Sequence, residues 1–153
     1  VIRFRTFSKA YAMAGARIGY AIGPAELIAG FDRIRNHFGI NRIAQAGALA
    51  ALNDQDWLDR ILTEVAAARI RIGQIAQDNG LTPLPSATNF VAIDCGRDGA
   101  FARRLLAALA DEGIFARMPG TAPMDRCIRV SCGPAPELAA FAEALPRALR
   151  TIL

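Results

Sequence analysis

At 153 residues, 53% hydrophobic and 21% charged, the chain is long enough to bury a sizeable core and is neither low-complexity nor disordered. Its net charge of +4 is spread over single and paired arginines, without the dense basic runs or interleaved aromatics of nucleic-acid grooves, so small anionic ligands suit it better than nucleic acid. No apolar stretch approaches the roughly 20 residues that cross a bilayer, and no leader pattern opens the chain, so a cytoplasmic protein without membrane contact is expected.

Val1 to Phe7 reads as the end of a strand running straight into Ser8-Lys9, with no start signal before it, so the chain is expected to continue a longer protein. Arg17 to Ile22 reads as a second short strand. Gly23-Pro24 then opens a helix with Leu27, Phe31, Ile34 and Phe38 at helical spacing. Asn41 to Leu52 predicts an alanine-rich buried helix. Asp54 is the expected N-cap of a long helix whose apolar stripe is Trp57, Ile61, Val65, Ala68, Ile72 and Ile75, ending at Asn79-Gly80. After a turn-rich stretch, Leu81 to Thr88, the pattern predicts a strand (Phe90 to Ile93), a helix (Ala100 to Glu112), a strand (Ile114 to Arg117), a loop, and a strand (Cys127 to Ser131). A helix from Pro136 follows, with Leu138, Phe141, Leu145 and Leu149 on one face; Pro146 should kink or split it. The order is that of an α/β protein in which residues 53–80 connect residues 1–52 to a small α/β unit, 81–153.

The basic residues are 17 arginines and one lysine, Lys9. Arginine stays protonated, whereas a lysine can be deprotonated by its surroundings and attack a carbonyl, so chemistry would explain the exception; a surviving surface lysine would look the same. Around it runs Thr6-Phe-Ser-Lys-Ala-Tyr-Ala-Met-Ala-Gly-Ala-Arg-Ile-Gly-Tyr20. These are the parts that hold an aldehyde phosphate: an amine to condense with the aldehyde, the Thr6 and Ser8 hydroxyls to donate to phosphate oxygens, and the planar Arg17 fork for the same dianion. Gly15 and Gly19 would allow tight backbone turns. Tyr11 and Met13 read as packing groups. In Cys127-Ile-Arg-Val-Ser131, alternation puts Ile128 and Val130 on one face and Arg129 on the other with Cys127 and Ser131, which aims Arg129 at a ligand or at a surface carboxylate. Cys95, Cys127 and Cys132 read as small buried apolar residues, and with His37 the only histidine no metal site is expected.

The lysine segment resembles the Ser-Lys-x7-Arg-x-Gly signature of fold-type I pyridoxal-phosphate aminotransferases, in detail the histidinol-phosphate aminotransferase branch, and the resemblance covers essentially the whole chain. It implies a fold-type I α/β architecture, of which this chain supplies the C-terminal end of the large domain and the small C-terminal domain. It implies pyridoxal 5'-phosphate as cofactor, with Lys9 as the Schiff-base lysine and Thr6, Ser8 and Arg17 lining the phosphate cup. Arg129 is similar in position to the arginine that clamps the substrate α-carboxylate, Arg117 to one that binds the substrate's own phosphate, and Asn89 to an asparagine near the carboxylate. Arg117 could also be carried out to solvent, and Asn89 could be a turn residue bonding its own backbone.

The resemblance further implies a homodimer that moves an amino group between an amino acid and a keto acid. It places Asn36 to Arg42 in a loop reaching toward a partner subunit, although His37 stands where a proline is common and reads as a polar helix cap. The family's aspartate for the pyridine nitrogen would precede Val1. An amino-acid decarboxylase of the same fold and a non-catalytic effector-binding module are the alternatives.

Overall fold

The computed structural model describes all residues, Val1–Leu153, and divides them into two compact units, Val1–Leu62 and Thr63–Leu153. No helix is long and apolar enough to cross a membrane.

In the first unit, strands β1 (Arg3–Thr6) and β2 (Gly19–Ile22) pair antiparallel, from Arg3 opposite Ile22 to Thr6 opposite Gly19. Helix α1 (Ala25–Asp32) follows. It is shorter than the apolar spacing suggested, and Ile34 and Phe38 lie beyond it, exposed. The cause is local: the Asn36 side chain accepts from the Phe38 N–H at 3.1 Å and the Gly39 N–H donates to the Asn36 carbonyl at 3.0 Å, a turn that competes with another helical turn. His37 is exposed in this turn and caps no helix.

Helix α2 (Arg42–Asn53) is capped by Asn41, whose side chain accepts from the Ala44 N–H at 2.7 Å. Within these 153 residues only Ala44 and Ala48 of this helix are buried, while Ile43 and Leu49 are exposed. Alanine spacing makes a smooth ridge but does not say how much of the helix is covered.

Helix α3 (Gln55–Asp78) starts in the first unit and ends in the second. The Asp54 carboxylate accepts from the Trp57 N–H at 3.1 Å and so caps it. At the other end Gly80, at φ 72°, lets the Leu81 N–H reach the Ala76 carbonyl at 2.9 Å. Along the expected stripe Ala68, Ile72 and Ile75 are buried, whereas Trp57 is 37% exposed.

The second unit is a three-stranded antiparallel sheet, β3 (Thr82–Pro83), β4 (Phe90–Asp94) and β5 (Cys127–Ser131), in that order. The short β3 lies within the stretch read as turns. Helices α4 (Gly99–Asp111) and α5 (Ala135–Ile152) share one core with the inward residues of β4 and β5: Val91, Ile93, Ile128 and Val130 with Phe101, Leu105, Leu109, Leu138, Phe141 and Leu145. Asp98 caps α4, its carboxylate accepting from the Phe101 N–H at 2.8 Å.

Ile114 to Arg117 is not a strand. Gly113, at φ 79°, turns the chain back so that the Ile114 N–H bonds the Leu109 carbonyl, and only Arg117 meets the sheet, in an isolated bridge to Arg129. Pro119, without an N–H, offers no ladder donor to lengthen the pairing. Nor does Pro146 split α5, which runs unbroken from Ala135 to Ile152. Leu138 and Phe141 before the proline and Ala148 and Leu149 after it are all buried in the same core. That burial, of order 1.5–3 kcal/mol for a large side chain, outweighs the helical bond the proline forgoes. Pro146→Ala should therefore restore an N–H donor to an already formed helix and raise the stability of this unit by about 1–3 kcal/mol. Urea unfolding of the intact protein followed by a probe in the second unit would show it; an unchanged or lower midpoint would mean that the ring itself packs productively.

Candidate active site

Within the first unit the hairpin β1–β2 brings the two ends of the lysine segment together. Gly19 is required there: a Cβ on it would lie 2.5 Å from the Arg5 carbonyl oxygen. Gly15 has no such role, since a Cβ on it would meet nothing within 4 Å. Thr6 and Ser8 form a hydroxyl pair, Thr6 Oγ1 donating to Ser8 Oγ at 2.9 Å while accepting from the Ser8 N–H at 3.0 Å. Phe7, 3% exposed, is the anchor between them, with the rings of Tyr11 and Tyr20 at 4.9 and 5.6 Å. Met13 packs toward α2, its Cε 3.0 Å from where a Gly47 Cβ would be. Tyr11 and Met13 are thus packing groups.

Arg17 adopts a left-handed backbone, φ 52°, and its Nη1 donates to the Ala14 carbonyl at 2.7 Å. Ala12 is also left-handed, φ 56°. Two non-glycine residues in that region within one short segment mark stored strain of the kind found at ligand sites. Neither Lys9 nor Arg17 pairs with a carboxylate, the ion pairs of the chain lying elsewhere at Arg35–Asp32, Arg126–Asp94 and Arg147–Glu112. An exposed amine, an exposed guanidinium and two hydroxyls without an acid among them are a donor set suited to an aldehyde that carries a phosphate dianion.

The second unit holds a separate cationic pair. Arg117 and Arg129 exchange backbone bonds, Arg117 N–H to the Arg129 carbonyl at 3.1 Å and Arg129 N–H to the Arg117 carbonyl at 2.6 Å, so their side chains leave the same side of the sheet. Like charges directly opposed across strands repel. Aromatic faces soften this: the Arg129 guanidinium carbon lies 4.8 Å from the Phe90 ring centroid and that of Arg117 5.7 Å from Phe115. Neither arginine has a carboxylate partner, so Arg129 is not neutralised by a surface acid. Arg117 is exposed but tethered to the sheet by its backbone.

Asn89 is exposed beside this pair's strand. Its carbonyl accepts from the Cys132 N–H at 2.9 Å, and its side chain makes no bond to its own backbone. Cys127, expected on the polar face, is buried, 1% exposed, opposite Asp94. Burial pushes the Cys95 thiol up to about 11 and raises those of Cys127 and Cys132, so none is a thiolate nucleophile at neutral pH. At Asp94 burial acts to raise the carboxyl, but the Gly96 N–H and the Arg126 guanidinium, each at 2.8 Å, outweigh it and hold the group below the usual range. That carboxylate is therefore committed to Gly96 and Arg126 at the end of β4.

One contact escaped the sequence reading. Trp57, placed on the apolar stripe of α3, instead points its indole N–H at the Ala10 carbonyl, 3.4 Å away. Helical spacing cannot reveal a bond across 47 residues.

Residues 1–145 match the family of class I and II aminotransferases. The chain belongs to this family. Histidinol-phosphate aminotransferase 1 of Cupriavidus pinatubonensis is 41% identical over 146 residues, 95% of this chain and 39% of that protein. Histidinol-phosphate aminotransferase 2 of Ralstonia nicotianae is 40% identical over 145 residues, again 95% of this chain and 39% of the relative. Among solved structures, histidinol-phosphate aminotransferase from Sinorhizobium meliloti in complex with pyridoxal-5'-phosphate superposes with a TM-score of 0.95 at 55% identity, covering 100% of this chain and 42% of that one. The chain thus spans about two fifths of the length of the relatives it matches. Its α/β fold is accordingly that of the fold-type I aminotransferases.

In this family member the two glycines of the lysine segment should respond differently to a methyl group. Gly19→Ala, which must push β1 and β2 apart, is expected to destabilise the first unit by about 1–3 kcal/mol. Gly15→Ala, entering open space, should be within about 0.5 kcal/mol of neutral. Thermal unfolding of the two variants of the intact protein checks this; equal effects would show that the Gly19–Arg5 approach is not restrictive.

Proposed function

We propose that the intact protein is a pyridoxal 5'-phosphate-dependent aminotransferase that moves an amino group between an amino acid, phosphorylated or acidic and akin to histidinol phosphate, and a keto acid. The observation that carries the reading is Lys9. The only lysine of the chain stands without an acidic partner, on a strained segment with the Thr6 and Ser8 hydroxyls and the Arg17 fork. The likeness at 55% identity to an enzyme solved with pyridoxal-5'-phosphate supports the choice of cofactor.

When bound, the cofactor supplies an electron sink that weakens the Cα–H bond of an attached amino acid. In this reading Thr6, Ser8 and Arg17 bind its phosphate, an interaction common to ground and transition states that contributes to retention more than to turnover. Lys9 Nζ would hold the cofactor at its aldehyde carbon with loss of water, and, once displaced from that carbon by the substrate amine, the released amine would accept the Cα proton and return it on the other side of the transfer. Arg129 orients the substrate α-carboxylate with Asn89 nearby, and Arg117 takes a phosphate or second acid. The unneutralised Arg117–Arg129 pair supports a substrate with more than one negative charge. In line with the family resemblance, the protein is proposed to work as a cytoplasmic homodimer. No feature of either unit favours a decarboxylase or an effector-binding module over this reading.

The direct test is chemical. Intact protein incubated with pyridoxal 5'-phosphate and reduced with borohydride should carry the pyridoxyl group on Lys9 by mass mapping. An adduct confined to other lysines, or none, overturns the reading.

Arg129 offers a second test. Arg129→Lys keeps the charge but loses the planar fork, so the protein should fold and keep its cofactor while kcat/KM for amino acids falls by roughly 30- to several-thousand-fold, the equivalent of about 2–5 kcal/mol. Amines without a carboxylate should be spared. Equal slowing of both substrate classes would make Arg129 structural.

A further inference from the structure

The segment that carries Lys9 has little regular structure to hold it. Between β1 and β2 it is closed by turn bonds, the Ala12 N–H to the Lys9 carbonyl and the Met13 N–H to the Phe7 carbonyl, each at 2.9 Å. Left-handed Ala12 and Arg17 work against it, and such residues persist only where their surroundings over-determine them.

A side-chain hydrogen bond reaches this segment from outside the hairpin: Trp57 Nε1 donates to the Ala10 carbonyl, one residue from Lys9. Trp57 is well placed to be a fixed point. Its own main-chain N–H is held by the Asp54 cap at 3.1 Å, and the Arg60 guanidinium, one helical turn on, lies 4.6 Å from its ring centroid. A cation over the indole face draws electron density from the ring and makes the N–H a stronger donor.

We propose that Trp57 is a positioning residue for Lys9, its indole N–H fixing the Ala10 carbonyl and hence the backbone from which the Lys9 amine projects. The inference rests on Lys9 being the cofactor-binding lysine. An amine must meet its carbonyl carbon at a defined distance and angle, and small misplacements slow that encounter far more than they weaken a phosphate contact. Trp57 therefore acts on the rate of covalent attachment rather than on affinity for the phosphate.

Trp57→Phe in the intact protein keeps the ring under Arg60 and removes only the N–H. In cofactor-free protein, amide exchange within residues 9–13 is expected to rise about fivefold, the size of one net hydrogen bond, with the rest of the protein unchanged. The rate at which pyridoxal 5'-phosphate attaches to Lys9 should fall by about fivefold or more. The affinity for pyridoxamine 5'-phosphate, which has the phosphate but no aldehyde, should stay within about twofold. Unchanged exchange and attachment overturn the proposal, as does a loss of affinity for both ligands with faster exchange throughout Val1–Leu62, which would make Trp57 a structural residue. Should Trp57→Phe not fold, Arg60→Gln must give a smaller change in the same direction confined to residues 9–13, and no change there overturns the proposal as well. The exchange measurement needs no cofactor. An adduct away from Lys9 with the exchange result intact would therefore count against the cofactor assignment and not against the contact.

Discussion

The close approach of Gly19 to the Arg5 carbonyl is the constraint on which the first unit turns. Where a Cβ would stand 2.5 Å from that oxygen, only glycine lets β2 pair with β1 in the observed register. That register sets Thr6 against Gly19 and so fixes both ends of the segment between them. The segment's chemistry follows from being pinned at its ends and strained in between. Ser8 and Lys9 leave one strand, Arg17 approaches the other in a left-handed turn, and the buried Phe7 ring with its tyrosine neighbours stops the loop from collapsing.

In the second unit a different constraint dominates, the two-residue period of β4 and β5. One face delivers Val91, Ile93, Ile128 and Val130 to a core shared with α4 and α5, and the other carries Phe90, Ala92, Arg129 and Ser131. The apolar face is covered by α4 and α5, and the opposite face holds the cationic pair. Arg117 and Arg129 repel across their bridge, and stacking on Phe115 and Phe90 compensates only in part, at about 0.5–1 kcal/mol for an exposed contact. Neither guanidinium has a carboxylate partner.

Much of this was legible in the chain alone, for physical reasons that can be named. The helix starts at Asn41 and Asp54 were readable because a capping side chain bonds a backbone N–H three residues away, as both do. Strand β5 and the buried face of α5 were readable because alternation and helical spacing are local repeats. The hydroxyl–lysine–arginine segment stood out because a single lysine among 17 arginines is conspicuous in composition and lies between hydroxyls and an arginine.

Only the tertiary structure decided what depends on distant segments meeting. It reduced Ile114–Arg117 to one bridge and carried α5 through Pro146 because the core holds that helix on both sides of the proline. It set Arg117 beside Arg129, Phe90 under Arg129 and Trp57 against Ala10. Residue type and spacing determined which groups could do chemistry, since those properties travel with the chain. Which of them are paired, stacked, buried or left free is a property of the neighbours that folding supplies, and no local pattern encodes them.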